Sequence, residues 1–333
     1  MTRPSARFAS VAALVALSLP LLQAAAQQQV PPAPAQDSAA SVPAAPAPAA
    51  APVFPKPDPA NFTASSPTKE AVDTFLQALW GYDDTRVWEV WAVQKTEVEG
   101  VSKVIVYVGD KTGKQKPSGT LFFVLPGGKH IIAGDEIVPF GEHPFAEYRA
   151  QLQQRADGPF RGSATKDLEL VEFADFQCPH CKEAQANMDQ LAVDFPKARI
   201  VFQNYPLPQH PAAANAAAYG VCVAKQGGSN AFFTFAAAVF EGQDGLATPD
   251  GATLTLNSAV AKAGLDPAKI AACAATPAVI GQVDASVKLA KDLNINQTPV
   301  LMVNGRQVPI GGTSYDKIKQ VIQYQEKLDG IAQ

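Results

Sequence analysis

Val171-Glu172-Phe173-Ala174-Asp175-Phe176-Gln177-Cys178-Pro179-His180-Cys181 is the stretch on which the fold turns. The residues leading into it, from Leu168 to Phe173, alternate and are rich in apolar side chains, which predicts a central strand. Beyond it, Ala184, Met188, Leu191 and Phe195 recur at helical spacing. Cys178 therefore stands where strand gives way to helix. The unpaired N–H groups and positive dipole end of a helix start favour a thiolate over a thiol, and a protonated His180 pushes the same way. Such surroundings lower a cysteine pKa from ~8.5 by roughly one to five units, at about 1.36 kcal/mol per unit. Stabilising the reduced thiolate makes the corresponding disulfide oxidising. Arg199 to Asn204 reads as the next strand, giving a parallel βαβ unit with the cysteines at the carboxyl end of its first strand, where open α/β sheets place their chemistry.

Glu-Phe-Ala-Asp-Phe-Gln-Cys-Pro-His-Cys resembles the active-site segment of the bacterial DsbA-type thiol–disulfide oxidoreductases, which have a thioredoxin fold. The resemblance implies that Cys178 is an exposed nucleophile, that Cys181 resolves the mixed disulfide, and that Glu172 assists proton transfer from beneath. Pro179 and His180 between the cysteines resemble the strongly oxidising members. Asn294-Ile295-Asn296-Gln297-Thr298-Pro299-Val300 is similar to the family's cis-proline loop, so Thr298 and Pro299 should face Cys178 and bind an extended substrate peptide. Tyr205 to His210, followed by an Ala-rich run, resembles the entry to the family's helical insertion, expected over about residues 211–291. His210 either approaches the active site or caps that insertion, with capping preferred. Phe232, Phe233, Phe235 and Phe240 are expected in the core of the helical layer. The fold class expected is α/β, a thioredoxin-like domain over residues 163–330 with a helical insertion.

Other uses of Cys-x-x-Cys fit less well. Structural zinc generally takes four nitrogen or sulfur ligands, and no second pair is visible. Haem attachment needs His after the second cysteine, where Lys182 stands. An inert disulfide is the bland alternative. A thioredoxin-like chaperone holding copper on Cys178 and Cys181 with His180 or His210 is a further class, although His180 lies between the cysteines. No metal or organic cofactor is implied. Cys222 and Cys273 are the two cysteines left over, on separate predicted helices, and are expected to form a structural disulfide; free buried thiols are the alternative.

Residues 1–26 carry Arg3 and Arg7, an apolar run from Val11 to Leu22 and Ala24-Ala25-Ala26, the pattern of a secretory signal peptide. A periplasmic location follows, as does an oxidising compartment suited to four cysteines. Residues 27–64 read as an Ala/Pro-rich linker. Residues 65–156 read as a small α+β domain: Ser66-Pro67 caps a helix through Val72, Phe75, Leu76 and Leu79, and strands follow at Trp88–Val93, Lys95–Val98, Ser102–Val108 and Thr120–Leu125. The turn Pro126-Gly127-Gly128 and its flanks faintly resemble the N-terminal dimerisation domains of periplasmic disulfide isomerases. Lys and Arg number 27 against 31 Asp and Glu. Loss of Arg3 and Arg7 would leave 25 against 31, a charge near −6, which argues against nucleic acid as a partner. The partners expected are proteins bearing cysteine thiols and a membrane redox partner that reoxidises the pair. A homodimer through the N-terminal domain goes with an isomerase or reductase role.

Overall fold

Two five-stranded sheets organise residues 52–113 and 116–331, the part of the chain described by this computed structural model. The expected signal peptide and most of the linker lie outside the described residues. The end of the linker is more than a tether. Asp58 caps a short 3-10 turn at Pro59–Asn61, and the N–H groups of Thr63 and Ala64 donate to Val93 O at 3.0 and 3.1 Å. Phe62 supplies the large apolar surface that the Ala/Pro run lacks, and it packs against the first sheet's core.

The first sheet is antiparallel in the order β1 (Arg86–Lys95), β2 (Ser102–Asp110), β3 (Ser118–Val124), β4 (His130–Ala133) and β5 (Glu136–Pro139). Helix α1 (Lys69–Trp80) covers one face, with Val72, Phe75 and Leu76 buried against Val90, Val104, Val106 and Phe122. Each of those side chains contributes roughly 1.5–3 kcal/mol through burial. The helix starts two residues later than the sequence suggests. Thr68, not Ser66, accepts from a free N–H of the first turn, that of Ala71 at 3.1 Å, while Ser66–Pro67 is a cis peptide. The strand expected at Trp88–Val93 is β1, which runs on to Lys95 and carries a bulge at Trp91, whereas the second strand expected at Lys95–Val98 is the turn after it, closed by Val101 N donating to Val98 O at 3.1 Å. The extra residue turns the indole to the other face, where it meets Tyr107 edge-on at 5.9 Å.

The second sheet has the order β10-β9-β7-β8-β6. Its centre is β7 (Glu169–Ala174), parallel to β8 (Arg199–Asn204) and antiparallel to β9 (Val300–Val303); β10 (Arg306–Pro309) and β6 (Phe160–Gly162) are the edges. All six residues of β7 are buried because helices cover both faces. Helices α3 (Pro179–Asp194) and α8 (Tyr315–Leu328) pack on one side through Met188, Leu191, Ile318 and Ile322. On the other, α7 (Pro277–Asp292) brings Leu289 and Ala290, and α2 (Ala146–Arg155) brings Leu152. Helix α2 thus joins the second core, although it precedes residue 163. Strand β6, too short to show periodicity, also precedes that boundary.

Arg306 ties the sheets together. Although only 3% exposed, it donates from Nη1 to Leu79 O at 2.9 Å and from Nη2 to Ala78 O, carbonyls at the end of α1 that have no partner within the helix. Its guanidinium lies 4.2 Å from the centre of the Phe145 ring. Everything described lies in one compact unit.

Between β8 and α7 the insertion comprises α4 (Ala213–Glu241), α5 (Pro249–Lys262) and α6 (Pro267–Ala274), with α7 as its last helix. Helix α4 is two helices joined at Gly228, whose φ of 75° breaks the ladder. Cys222 in α4 and Cys273 in α6 are bonded to each other. Phe176 enters this layer from the turn between β7 and α3 and meets Phe202, Phe235 and Phe240 at 5.1, 5.7 and 5.3 Å. Gly220 makes room: a Cβ there would lie 3.0 Å from the Phe232 ring and 3.4 Å from Phe176. Phe232, Phe235 and Phe240 are buried, whereas Phe233 is partly exposed beneath the Arg161 guanidinium at 5.0 Å.

Candidate active site

Cys178 is the N-cap of α3, with Pro179 in the first helical turn, where a missing N–H costs nothing. Its carbonyl accepts from Cys181 N and Lys182 N at 3.1 and 3.3 Å. Both thiols are free, and both residues are buried, Cys178 at 5% exposed. The first cysteine is therefore less open than the resemblance implied. The insertion packs over one side of it, and the Thr298 carbonyl lies 3.6 Å from its sulfur on the other.

The two thiols differ sharply in acidity. Cys178 is drawn from 9.0 down to about 5, chiefly by a hydrogen bond from the Cys181 thiol; burial opposes this, and Thr298 and the N–H groups of Cys181 and His180 add to it. Cys181 is pushed far up, first by burial and then by giving its proton's interaction to Cys178. His180 contributes to this through its main chain. Its exposed ring pairs with Glu183 at 3.0 Å, which raises its own pKa.

On β7, burial raises Glu172 to about 7, opposed by a hydrogen bond from Gln185. Gln185 Nε2 donates to Glu172 Oε1 at 2.9 Å and to Cys181 O at 3.0 Å, so it links the carboxyl to the helix turn that carries Cys181. The peptide Thr298–Pro299 is cis. Gly311, on the loop after β10, closes that side: a Cβ there would lie 3.3 Å from Pro299 and 3.6 Å from His180.

Several residues that hold the turn escaped the sequence reading. Gln243 Nε2 donates to Phe176 O at 2.8 Å and to Cys178 O at 3.0 Å. Gln177 accepts from Ala212 N at 2.8 Å and donates to Leu246 O at 3.2 Å, fastening the turn to the insertion. His210 does not cap the insertion with its ring; Nδ1 lies 2.8 Å from the Asp175 carboxylate. With His180 turned to Glu183 and His210 to Asp175, each imidazole has a carboxylate partner rather than a shared focus with the cysteines. Of these, His210 was singled out by the sequence reading and Asp175 carried a signal as a charged residue directly after an apolar strand; the glutamines carried none.

Chemically, an acidified thiol beside a buried thiol one helical turn away is suited to making and breaking a disulfide. The sequence matches the family described as Thioredoxin over residues 154–324, and the chain belongs to that family. Among curated proteins it is similar to Na(+)/H(+) antiporters: NhaA 3 of Salinispora tropica, 30% identical over 148 residues, and NhaA of Herminiimonas arsenicoxydans, 32% over 149. Each match takes 44% of this chain and 22% of the relative, so the chain spans about a fifth of the length of these relatives. Among the described residues no single helix is long and apolar enough to cross a membrane. Among solved structures, a thioredoxin-like oxidoreductase from Silicibacter pomeroyi is 24% identical, with a TM-score of 0.46 over 54% of this chain and 98% of that one. The thiol–disulfide exchange protein alpha-DsbA2 from Wolbachia pipientis is 21% identical, with a TM-score of 0.45 over 56% and 96%.

Proposed function

We propose that this protein is an exported thiol–disulfide oxidoreductase of the DsbA type that oxidises substrate dithiols in the periplasm, and that a membrane redox partner restores its disulfide. The carrying observation is the contrast within the pair, with Cys178 drawn down to about 5 and Cys181 pushed up. A substrate thiolate attacks Cys178 in the Cys178–Cys181 disulfide, and Cys181 leaves. A thiolate at Cys178 favours the reduced pair over the disulfide, so electrons flow in from substrate. Glu172 can hold or release a proton near neutral pH. Thr298 and Pro299 line the opposite side of Cys178 as the binding edge for an extended peptide. Equilibration of the pair with glutathione, together with oxidation of a reduced substrate protein, tests this. A potential near that of thioredoxin, about −270 mV, would overturn the direction.

A second reading, a disulfide isomerase or reductase working as a homodimer, draws support from the first sheet. Its face away from α1 carries Trp91 and Tyr107 toward one edge and the exposed Leu121 and Ile137 toward the other. A stable dimer in solution that reshuffles scrambled disulfides faster than it oxidises dithiols would favour it.

A further inference from the structure

The turn between β7 and α3 holds a carboxylate for which the exchange chemistry above has no use. Asp175 is 1% exposed. Its Oδ1 accepts from Gln177 N at 2.7 Å, and its Oδ2 accepts from Leu207 N at 2.8 Å and meets His210 Nδ1 at 2.8 Å. Its own N–H points at Cys181 Sγ, 3.4 Å away. A carboxylate is kept in such a place only where donors satisfy it, and these donors come from two separate segments: the active-site turn and the entry to the insertion. With both segments gripping one side chain, the direction of the Asp175 N–H is held toward the sulfur. Gln185 bonds Cys181 at its carbonyl, so among main-chain groups it is the Asp175 N–H that meets the sulfur, with the Thr298 side chain also in reach of it.

We propose that Asp175 is the positioning residue for the resolving cysteine, with His210 as its anchor, and that its N–H stabilises Cys181 as the leaving thiolate. This rests on the exchange reading. In the step, a substrate thiolate attacks Cys178 Sγ. A substrate–Cys178 bond forms, the Cys178–Cys181 bond breaks, and its electron pair departs on Cys181 Sγ. In a buried site that charge lacks water, and the preorganised N–H meets it. Cys181 then takes the proton of the second substrate thiol. That sulfur attacks the substrate sulfur bound to Cys178, which closes the substrate disulfide and releases Cys178 as a thiolate. Two electrons pass from substrate to enzyme; one substrate proton ends on Cys181 and the other in solvent.

The test uses the oxidised full chain with glutathione as the attacking thiol. Stopped-flow reduction of Asp175→Asn and His210→Leu should be slowed about tenfold, the scale of a lost hydrogen bond to a charged group, whereas His210→Gln, which keeps a donor, should restore most of the rate. The thiolate titration of Cys178 in the reduced variants should stay at its wild-type midpoint, because Cys178 is not the group being helped. Unchanged reduction rates in both Asp175→Asn and His210→Leu would overturn the proposal. So would slowing accompanied by an upward move of the Cys178 midpoint, which is the mark of general loosening. If wild type itself is not reduced by glutathione, the exchange reading fails instead.

Discussion

Two cysteine pairs share this chain, and they differ in almost everything but their atoms. Cys178 and Cys181 lie three residues apart at a helix start, both free, one acidified and the other made a poor acid by burial. Cys222 and Cys273 are 51 residues apart and bonded, Cys222 buried among the aromatic and alanine side chains of the insertion and Cys273 partly buried against them. Backbone N–H groups and a neighbouring thiol converge on the first pair, and such groups stabilise charge. The second is set among apolar atoms, which stabilise neutrality. Environment rather than residue type thus separates a reactive pair from a structural one.

The sharpest way to break this contrast is to exchange the roles. Cys178→Ser should reduce dithiol oxidation to the uncatalysed rate. Thiolate absorbance of the wild type should show a midpoint near 5 that the variant lacks. The sign of the linkage follows: a folded pKa below the unfolded value means that the reduced protein gains stability as pH rises from about 5 toward 9. Denaturant titrations of wild type and Cys178→Ser across that window should diverge in favour of wild type; parallel curves would refute a stabilised thiolate.

Replacing Cys222 and Cys273 together by alanine should cost about 4 kcal/mol on the chain-entropy relation for a loop of this length, measured by urea unfolding. It should leave the Cys178 midpoint in place. A shift of that midpoint would show that the insertion tunes the site as well as covering it.

Glu172→Gln probes the buried carboxyl. Because the folded pKa of about 7 lies above 4.5, the folded wild type binds the extra proton between those values and loses stability as pH rises through them. The variant, which can still accept from Gln185, should gain about 3 kcal/mol relative to wild type between pH 4 and pH 8. A constant difference across that range would mean that Glu172 is hydrated and unperturbed.

The smallest effect is expected from His180→Ala. Its ring is exposed and engaged with Glu183, so solvent screens its field at Cys178. The Cys178 midpoint should move up by less than about one pH unit. A larger move would place the imidazole, rather than main-chain N–H groups and the second thiol, at the centre of the acidity.

Much of the fold was legible where periodicity runs long. The spacing of Ala184, Met188, Leu191 and Phe195 marks α3, and the apolar run to Phe173 marks β7. Strand β6 was not legible, since three residues carry no period, and it exists because β8 offers an open edge. Leu152 fell within the span read as the first domain, yet it packs in the core of the second sheet, because sequence position does not tell which core a buried face joins. At the site, Cys178, Cys181, Glu172, Thr298 and Pro299 announced themselves by motif. Gln177, Gln185 and Gln243 did not, since amides are common on surfaces and only the fold turned these three onto main-chain or carboxyl partners at the site.

The sequence by itself determined which atoms can do chemistry here: two thiols at a strand-to-helix turn, a carboxyl six residues upstream, and a proline after Thr298. These are properties of residue type and local spacing, and local spacing survives without a fold. Only the tertiary structure decided that Cys178 is nearly enclosed, that His180 turns away to Glu183, and that Asp175 and His210 meet across 35 residues beside Cys181. The physical reason is that burial and hydrogen-bond direction depend on segments distant in sequence, and those quantities set how acidic each thiol is.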